Sequence, residues 1–285
     1  MEYKDFAVFI LTHGRADNVV TYNTLISSGY TGKIYIIIDN EDKTDKQYYK
    51  NFGKENVIMF DKLEISKTFD EADNFNDRRS IVYARNACFD IAKKLGIKYF
   101  MQLDDDYTKF DFRINSKGEV PSGHFKITKL DNILKALLDF YIKSNADSLA
   151  IAQGGDFIGG KGNSFYDYKL RRKCMNTFIC STDRPFQFIG RINEDVNTYT
   201  RAASTGKLFL TTPLVSISQK ETQSNDGGMT DIYLDNGTYV KSFYSIIFSP
   251  SSVRIGLMGN KNMRLHHKIK WDNAVPKIIS EDVKI

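Results

Sequence analysis

The stretch Tyr99-Phe-Met-Gln-Leu-Asp-Asp-Asp-Tyr107 is a short apolar run that ends in three consecutive aspartates, Asp104, Asp105 and Asp106. The apolar part predicts a buried strand with the aspartates at its carboxyl end. Adjacent carboxylates repel one another, and hard cations such as Mg²⁺ and Mn²⁺ bind carboxylate oxygens. The stretch therefore indicates a metal site, although a solvated acidic turn after a strand would have the same sequence.

Strands and helices are predicted to alternate on both sides of this stretch. Continuous apolar runs at 6–11, 33–38 and 57–60 predict buried strands. Between residues 84 and 95 the apolar side chains recur at helical spacing, and Gly96 ends this helix just before the strand at 99–103. We therefore expect an α/β fold with a mostly parallel central sheet flanked by helices, in which ligands bind at the carboxyl ends of the strands.

Composition excludes several classes of protein. The 285 residues include only three cysteines, without metal-finger spacing, so we expect neither a disulfide framework nor a structural zinc site. A formal charge of +5 mildly favours an anionic partner such as a nucleotide or nucleic acid. We find no signal peptide, apolar run of spanning length, repeat or linker, which predicts an unprocessed cytoplasmic protein with a single domain.

Three motifs together resemble the GT-A glycosyltransferases. The run Arg79-Ser-Ile-Val-Tyr-Ala-Arg-Asn86, followed by a helix, a strand and the aspartates, resembles the nucleotide-sugar-binding half of that family with its D-x-D metal motif. The opening Phe9-Ile-Leu-Thr-His-Gly-Arg-Ala-Asp-Asn18 resembles the family's first strand and loop. Asn193-Glu-Asp195, which precedes a predicted helix, is similar to the family's x-E-D motif. Within the family, the chain looks closest to the TET-associated glycosyltransferases of phages.

The resemblance implies a Rossmann-like GT-A sheet with a mixed acceptor-side region. Residues 1–285 would form one domain, with the nucleotide sugar bound by residues 1–110 and the acceptor by residues 111–285. The implied function is metal-dependent transfer of a sugar from a nucleotide-diphosphate sugar, most favourably a UDP-sugar, to a hydroxyl group. The favoured acceptor is a 5-hydroxymethylpyrimidine in DNA, and the implied location is the host cytoplasm if a phage encodes the protein.

On the donor side, the resemblance makes Asp106 the direct ligand of Mn²⁺ or Mg²⁺. Asp104 would contact the donor ribose, or the metal through water, and the role of Asp105 stays open. The donor-binding candidates are Thr12, Arg15, Asp39, Arg85, Asp104 and Asp105. A helix N-cap explains Asp39 equally well, and an ordinary ion pair explains either arginine.

On the acceptor side, Asp195 is the candidate general base and Glu194 the second choice. A hydroxyl that attacks an anomeric carbon needs a proton acceptor within hydrogen-bond reach, and a carboxylate at a helix N-terminus is suitably placed. A direct attack of this kind implies an inverting enzyme. Without the resemblance, both acids fit a simple role in capping the helix and complementing its dipole.

The basic C-terminal region offers two further candidates. His266 or His267 would supply the third metal ligand that many GT-A enzymes take from this region, although an isolated histidine is more often structural. On a strand only one of the two would face the site, because neighbouring side chains point to opposite faces. The candidates for a DNA-facing surface are Lys169, Arg171, Arg172, Lys173, Arg264 and Lys268. Solvated charge also explains each of these basic residues taken singly.

Three alternatives remain at this level. A glycosyltransferase with a glycan or protein acceptor would share the same motifs. A nucleotidyltransferase would share the acidic metal site, but it normally has a glycine- and basic-rich loop after the first strand, which Thr12-His-Gly-Arg15 matches poorly. A non-catalytic nucleic-acid-binding module on the same fold would tolerate Asp106→Asn.

Overall fold

A nine-stranded sheet forms the centre of the computed structural model, which describes residues 4–119, 123–157, 173–219, 240–258, 263–274, 276, 278, 280 and 281. The strands lie in the order β3-β2-β1-β4-β8-β7-β9-β5-β6. Their bounds are β1 Phe6–Leu11, β2 Lys33–Asp39, β3 Val57–Phe60, β4 Tyr99–Asp104, β5 Tyr107–Phe112, β6 Phe125–Lys126, β7 Ser148–Gln153, β8 Phe178–Ser181 and β9 Phe209–Gln219.

Helices connect these strands, and a small second sheet follows them. The helices are α1 Val20–Ser27, α2 Asp45–Phe52, α3 Lys62–Ser66, α4 Val82–Lys94, α5 Leu130–Ser144, α6 Glu194–Ser204, α7 Val240–Phe248 and α8 Trp271–Ala274. Short 3₁₀ turns occur at Lys54–Asn56 and Gly154–Phe157. Strands β10 Val253–Met258 and β11 Arg264–Ile269 pair only with each other within the described residues. None of the described helices is long and apolar enough to cross a lipid bilayer.

Strand direction divides the large sheet into two parts. β3, β2, β1 and β4 are all parallel, as the alternation of strands and helices predicts. Beyond β4, strand β8 is antiparallel to both β4 and β7, and β9 pairs parallel with β7 but antiparallel with β5. The predicted α/β fold with a parallel core and a mixed region is therefore confirmed, and the expected boundary between the two halves at 110/111 lies within β5.

Helices cover both faces of the sheet, which explains why its central strands are apolar throughout. In β1, Val8 and Ile10 point into a core shared with α1 and α5, while Ala7 and Phe9 point into a second core shared with α4 and α6. All four side chains are fully buried. A strand that is buried on both faces has no positions that face solvent, so its sequence is apolar throughout and does not alternate between apolar and polar residues.

The parallel strands end at one edge of the sheet, and this edge positions the acidic residues. Leu11 at the end of β1 lies opposite Asp104 at the end of β4, and Asp39 ends β2 beside them. Helix α4 runs towards the opposite edge, where Gly96 adopts a left-handed φ of 67° and lets the chain reverse into β4. The aspartates therefore lie where parallel α/β sheets bind their ligands.

Candidate active site

The turn that carries the three aspartates is fixed to the start of α1. The Thr21 hydroxyl donates a 2.6 Å hydrogen bond to the Asp104 carbonyl and accepts a 2.9 Å hydrogen bond from the Tyr107 amide. The Thr21 amide donates to the Asp105 carbonyl at 3.0 Å. One threonine thus holds the backbone between β4 and β5, so the side chains of the triplet project from a supported turn.

Asp105 is the buried member of the triplet. Its carboxylate accepts hydrogen bonds from the Thr12 hydroxyl at 2.7 Å and from Arg15 Nη1 at 3.0 Å. Only 4% of the residue is exposed. The sequence leaves the role of Asp105 open. In the structure its side chain joins the acidic turn to the loop after β1. Thr12 and Arg15, both donor-side candidates, are thereby held next to the triplet.

Arg85 connects the two acidic motifs of the sequence. Its Nη2 donates to Asp104 at 2.9 Å, and its Nε donates to Glu194 at 2.9 Å. The guanidinium group is 1% exposed and lies over the Phe178 ring, 4.8 Å from the ring centroid. Asp104 ends β4 and Glu194 begins α6, so this buried arginine brings the end of the sheet and the start of the helix into one site.

The carboxylates around Arg85 carry more negative charge than the arginine offsets. Burial raises the pKa of Asp104 to about 7, and the nearby charges of Asp106 and Glu194 act in the same direction. Burial, with the charge of Glu194, also raises the pKa of Asp195 to about 6, although the Val196 amide donates to its carboxylate at 2.7 Å. A carboxylate with a pKa near 6 is well matched to accept a proton at neutral pH.

The carboxylates of Asp104 and Asp106 are suitable ligands for a divalent cation. Asp104 and Asp106 offer carboxylate oxygens, and both are partly exposed at the edge of the sheet. Within the residues that the structure describes, no group of three or more His, Cys, Asp or Glu side chains is arranged to hold a metal ion. Mg²⁺ is commonly bound by one or two carboxylates together with water and substrate phosphates. The oxygen ligands of Asp104 and Asp106 are therefore of the kind that a divalent cation binds.

Asp39 lies at the same edge but has partners of its own, His13 and Lys62. It is 4% exposed, and its carboxylate is 2.8 Å from His13 Nδ1 and 3.3 Å from Lys62 Nζ. Burial alone would raise the pKa of Asp39, but the His13 hydrogen bond and the Lys62 charge lower it below its ordinary value. The sequence does not indicate either partner of Asp39, because His13 follows β1 and Lys62 is in α3, both distant from Asp39 along the chain. Half of the His13 side chain is exposed, so it faces the edge of the sheet directly.

The two C-terminal histidines lie together beside the start of α6. Their ring centroids are 4.2 Å apart, although the two residues are neighbours in β11. His267 Nδ1 is 3.5 Å from the Asn193 side-chain amide, which also donates to the Ser245 hydroxyl at 2.5 Å. Burial lowers the pKa of His267 to about 3, which keeps its imidazole neutral. A role for either histidine as a metal ligand stays a prediction.

The predicted basic surface divides into three groups. Lys173 is 8% exposed and forms an ion pair with Asp156, so its ammonium group is not part of an exposed surface. Lys268 is exposed on β11. Arg264 is in the same strand, but its side chain lies outside the described residues, as do Lys169, Arg171 and Arg172 entirely.

The raised pKa of Asp104 predicts that lowering the pH stabilises the metal-free protein. A carboxyl whose pKa is about 7 when folded and 3.8 ordinarily binds a proton in the folded state first. Titration of Asp104 alone is therefore expected to raise the free energy of unfolding by about 1.4 kcal/mol between pH 8 and pH 6. His267 acts in the opposite direction within this range, because its pKa is lowered from 6.5 to about 3 and near pH 6.5 only the unfolded state binds the proton. This titration lowers the free energy of unfolding by about 0.8 kcal/mol between pH 8 and pH 6.

Urea unfolding in the presence of a chelator measures this effect. In Asp104→Asn the rise is expected to be replaced by a small fall of about 0.4 kcal/mol, because the loss from His267 then exceeds the gain from Asp195, whose pKa is raised to about 6. A rise of the same size in the variant would show that Asp104 is not the group responsible.

Comparison with known proteins identifies a family over most of the chain. The model of the family described as TET-associated glycosyltransferase matches residues 6–228. No curated protein sequence matches the chain.

Several solved structures resemble the chain at low sequence identity. S. aureus TarS 1-349 in complex with UDP-GlcNAc is 13% identical, with a TM-score of 0.45 over 85% of this chain and 66% of that one. Glucosyl-3-phosphoglycerate synthase from Mycobacterium tuberculosis, in complex with Mg²⁺ and UDP, is 8% identical, with a TM-score of 0.46 over 94% and 88% of the two chains. The mannosyltransferase PcManGT from Pyrobaculum calidifontis, in complex with GDP-Man and Mn²⁺, is 9% identical, with a TM-score of 0.45 over 77% of this chain and 58% of that one. In two further TarS structures the chain covers 36% and 60% of the length of the matched protein.

Proposed function

Since the chain belongs to the TET-associated glycosyltransferase family, we propose that it transfers a sugar from a nucleotide-diphosphate sugar to a hydroxyl group. The favoured donor is a UDP-sugar, and the favoured acceptor is a 5-hydroxymethylpyrimidine in DNA. The observation that carries this proposal is the buried guanidinium group of Arg85, called the Arg85 fork below. Its Nη2 and Nε bind the carboxylates of Asp104 and Glu194, each at 2.9 Å. It supports a single site with a donor side at β4 and an acceptor side at α6.

On the donor side, Asp104 and Asp106 would hold Mn²⁺ or Mg²⁺ against the diphosphate. A bound cation of this kind neutralises the charge that develops on the leaving diphosphate. Asp105 keeps the acidic turn against Thr12 and Arg15, at the edge where the donor would lie. His13 joins the candidate donor contacts, because its exposed ring is oriented by the Asp39 carboxylate.

On the acceptor side, Asp195 accepts the proton of the attacking hydroxyl. The hydroxyl oxygen forms a bond to the anomeric carbon while the bond from that carbon to the phosphate oxygen breaks, and the nucleoside diphosphate leaves. A single displacement inverts the anomeric configuration, which makes the protein an inverting GT-A enzyme. Glu194 is less suited to act as the base, because its Oε1 already accepts from Arg85. A base within duplex DNA would have to leave the helix to reach this site.

Donor hydrolysis with a panel of nucleotide sugars and Mn²⁺ tests the proposal. We expect Asp106→Asn to lower Mn²⁺-dependent release of nucleoside diphosphate about 100-fold, since a lost metal ligand removes several kcal/mol of transition-state stabilisation. Asp90→Asn is the matched control, because Asp90 is an exposed residue of α4. Equal rates in wild type and Asp106→Asn, or no release with any donor, would contradict the proposal.

A further inference from the structure

The loop between α3 and α4, residues 67–81, lies against the chain that leads into α6, and we call it the α3–α4 loop. The Gly190 amide donates a 2.8 Å hydrogen bond to the Asp70 carbonyl. The Arg191 amide donates to the Glu71 carbonyl at 2.9 Å. The loop therefore binds the backbone just before the acceptor-side acids, and the donor and acceptor roles proposed above assign it no function.

The side chain of Arg191 strengthens this contact with a cluster of buried polar groups. Its Nε and Nη2 lie 2.9 and 2.8 Å from the Asp73 carboxylate, and its Nη1 lies 3.2 Å from Asp77. Nη2 also donates to the Tyr244 hydroxyl of α7 at 3.1 Å, and that hydroxyl donates to Asp73. The Ser80 hydroxyl donates to the Arg191 carbonyl. We call these five residues the Arg191 cluster, which joins the α3–α4 loop, α7 and the start of α6.

The segment before α6 is also bonded to the helix itself. The Asn197 side-chain amide donates to the carbonyls of Ile189 and Ile192, at 3.2 and 2.9 Å. The Ile189 amide donates to the Thr198 hydroxyl at 3.1 Å. Both side chains of α6 in these contacts are buried. Residues 189–192 are therefore fixed to the α3–α4 loop and to the beginning of α6 at once, so a shift of this segment would also move the first turn of the helix.

One residue of the α3–α4 loop is held in a conformation that alanine rarely adopts. Ala72 has a left-handed φ of 69°. This conformation is unfavourable for a residue with a Cβ atom, and it persists only where the surrounding contacts hold it. Ala72 packs against Ile192 and Tyr244, and the next residue, Asp73, is bound by Arg191. The Arg191 cluster thus sets the shape of the loop and holds it against the segment before α6.

The Arg191 side chain has no surface left for a substrate, because each of its nitrogens faces a group of the protein and only 3% of the residue is exposed. We propose that Arg191 is a positioning residue. Through the segment before α6, it holds Asp195 where the carboxylate can reach the acceptor hydroxyl. This inference rests on the proposed function, in which Asp195 is the general base. An arginine that only stabilised the fold would not change the rate of the folded enzyme.

Steady-state kinetics of Arg191→Met, at a temperature at which the variant is folded, test this role. We expect kcat to fall about 30-fold, since a misplacement of about 1 Å can cost about 100-fold. KM for the nucleotide sugar is expected to change less than about twofold, because the candidate donor contacts lie at the ends of β1, β2 and β4. Arg191→Lys keeps the positive charge and should recover part of kcat, whereas Arg191→Gln should not.

The matched control is Arg184→Met, which removes an arginine from the opposite edge of the sheet. Arg184 donates to the Ala146 carbonyl and to the Asn145 side chain, at 3.0 Å each. The control is expected to lose stability but to keep the wild-type kcat. Tyr244→Phe removes one hydroxyl from the Arg191 cluster and keeps the ring, and it is expected to lower kcat about threefold. This milder variant decides the question if Arg191→Met does not fold.

Hydrogen exchange gives a readout that needs no activity. The amides of Gly190 and Asn197 donate to the carbonyls of Asp70 and Asn193. In Arg191→Met both amides are expected to exchange at least about tenfold faster relative to the amides of β1, which report global unfolding. In the control variant this ratio should stay as in wild type.

A folded Arg191→Met with wild-type kcat would overturn the inference, even if its stability were lower, because Arg191 would then serve the stability of the fold alone. A higher KM for the nucleotide sugar with unchanged kcat would also overturn it, by assigning Arg191 to donor binding. If the wild type transfers sugar to no acceptor, the proposed function fails. Faster exchange in Arg191→Met would still support a positioning role at the start of α6, and unchanged exchange would contradict that role as well.

Discussion

Asp195→Asn is expected to lower the rate of sugar transfer about 1,000-fold, within the range of 10² to 10⁴ that removal of a general base costs. Asparagine keeps the size of the side chain and the hydrogen bond from the Val196 amide, but it cannot accept a proton from the acceptor hydroxyl. The step that fails is activation of the acceptor, so binding of the nucleotide sugar should change little. Transfer is measured with saturating donor and acceptor, and donor binding by calorimetry.

The wild-type pH profile gives an independent readout of the same residue. With the pKa of Asp195 raised to about 6, the base is deprotonated above that value, and the rate should fall as pH drops through it. Glu194→Gln is the matched comparison. The role of general base would pass to Glu194 under two results together. The transfer rate would fall further in Glu194→Gln than in Asp195→Asn, and the rate of Asp195→Asn would still fall at acidic pH as it does in wild type.

Arg85→Met is expected to lower the free energy of unfolding by about 3–5 kcal/mol, the usual effect of removing one partner from a buried ion pair. The variant leaves the carboxylates of Asp104 and Glu194 without their shared cation, in a site that already contains other acids. It also leaves space beside the Phe178 ring. Urea unfolding at neutral pH measures the change.

The control for this variant is Arg201→Met, which removes an exposed arginine from α6 and is expected to change stability by no more than about 0.5 kcal/mol. Arg85→Lys keeps the charge but not the two-nitrogen fork, so it should recover part of the stability and little of the transfer activity. Arg85→Met with wild-type stability would show that the fork does not hold the two acidic motifs together.

The sequence predicted the parallel half of the fold well because its signals are local. The runs at 6–11 and 57–60 match β1 and β3, and the helix predicted between 84 and 95 is α4 at Val82–Lys94. The strand β5 was missed, because Tyr-Thr-Lys-Phe-Asp-Phe mixes charged and aromatic residues. It is stabilised by pairing with β9, about a hundred residues later, and no local pattern reports such a partner.

The candidate site shows the same division between local and long-range information. Single motifs, or their resemblance to a family, indicated the aspartate triplet and Glu194-Asp195. The fork of Arg85 between Asp104 and Glu194 depends instead on where segments more than a hundred residues apart meet. The contacts of Asp39 with His13 and Lys62, and the contact of His267 with Asn193, are long-range in the same way. For this reason the sequence indicated the acids and named Thr12, Arg15 and Arg85 as candidates beside them, but it did not indicate that Arg85 also pairs with Glu194.

Mass spectrometry of nucleosides from treated DNA tests the proposed activity most directly. The protein is incubated with Mn²⁺, a panel of nucleotide sugars and either hydroxymethylated DNA, the same DNA without the hydroxymethyl groups, or a generic glycan. We predict a sugar-modified hydroxymethylpyrimidine nucleoside from the first acceptor, none from the second, and none when Asp195→Asn replaces the wild type. Transfer to the glycan alone would contradict the DNA acceptor, and no transfer or donor hydrolysis with any combination would contradict the glycosyltransferase activity.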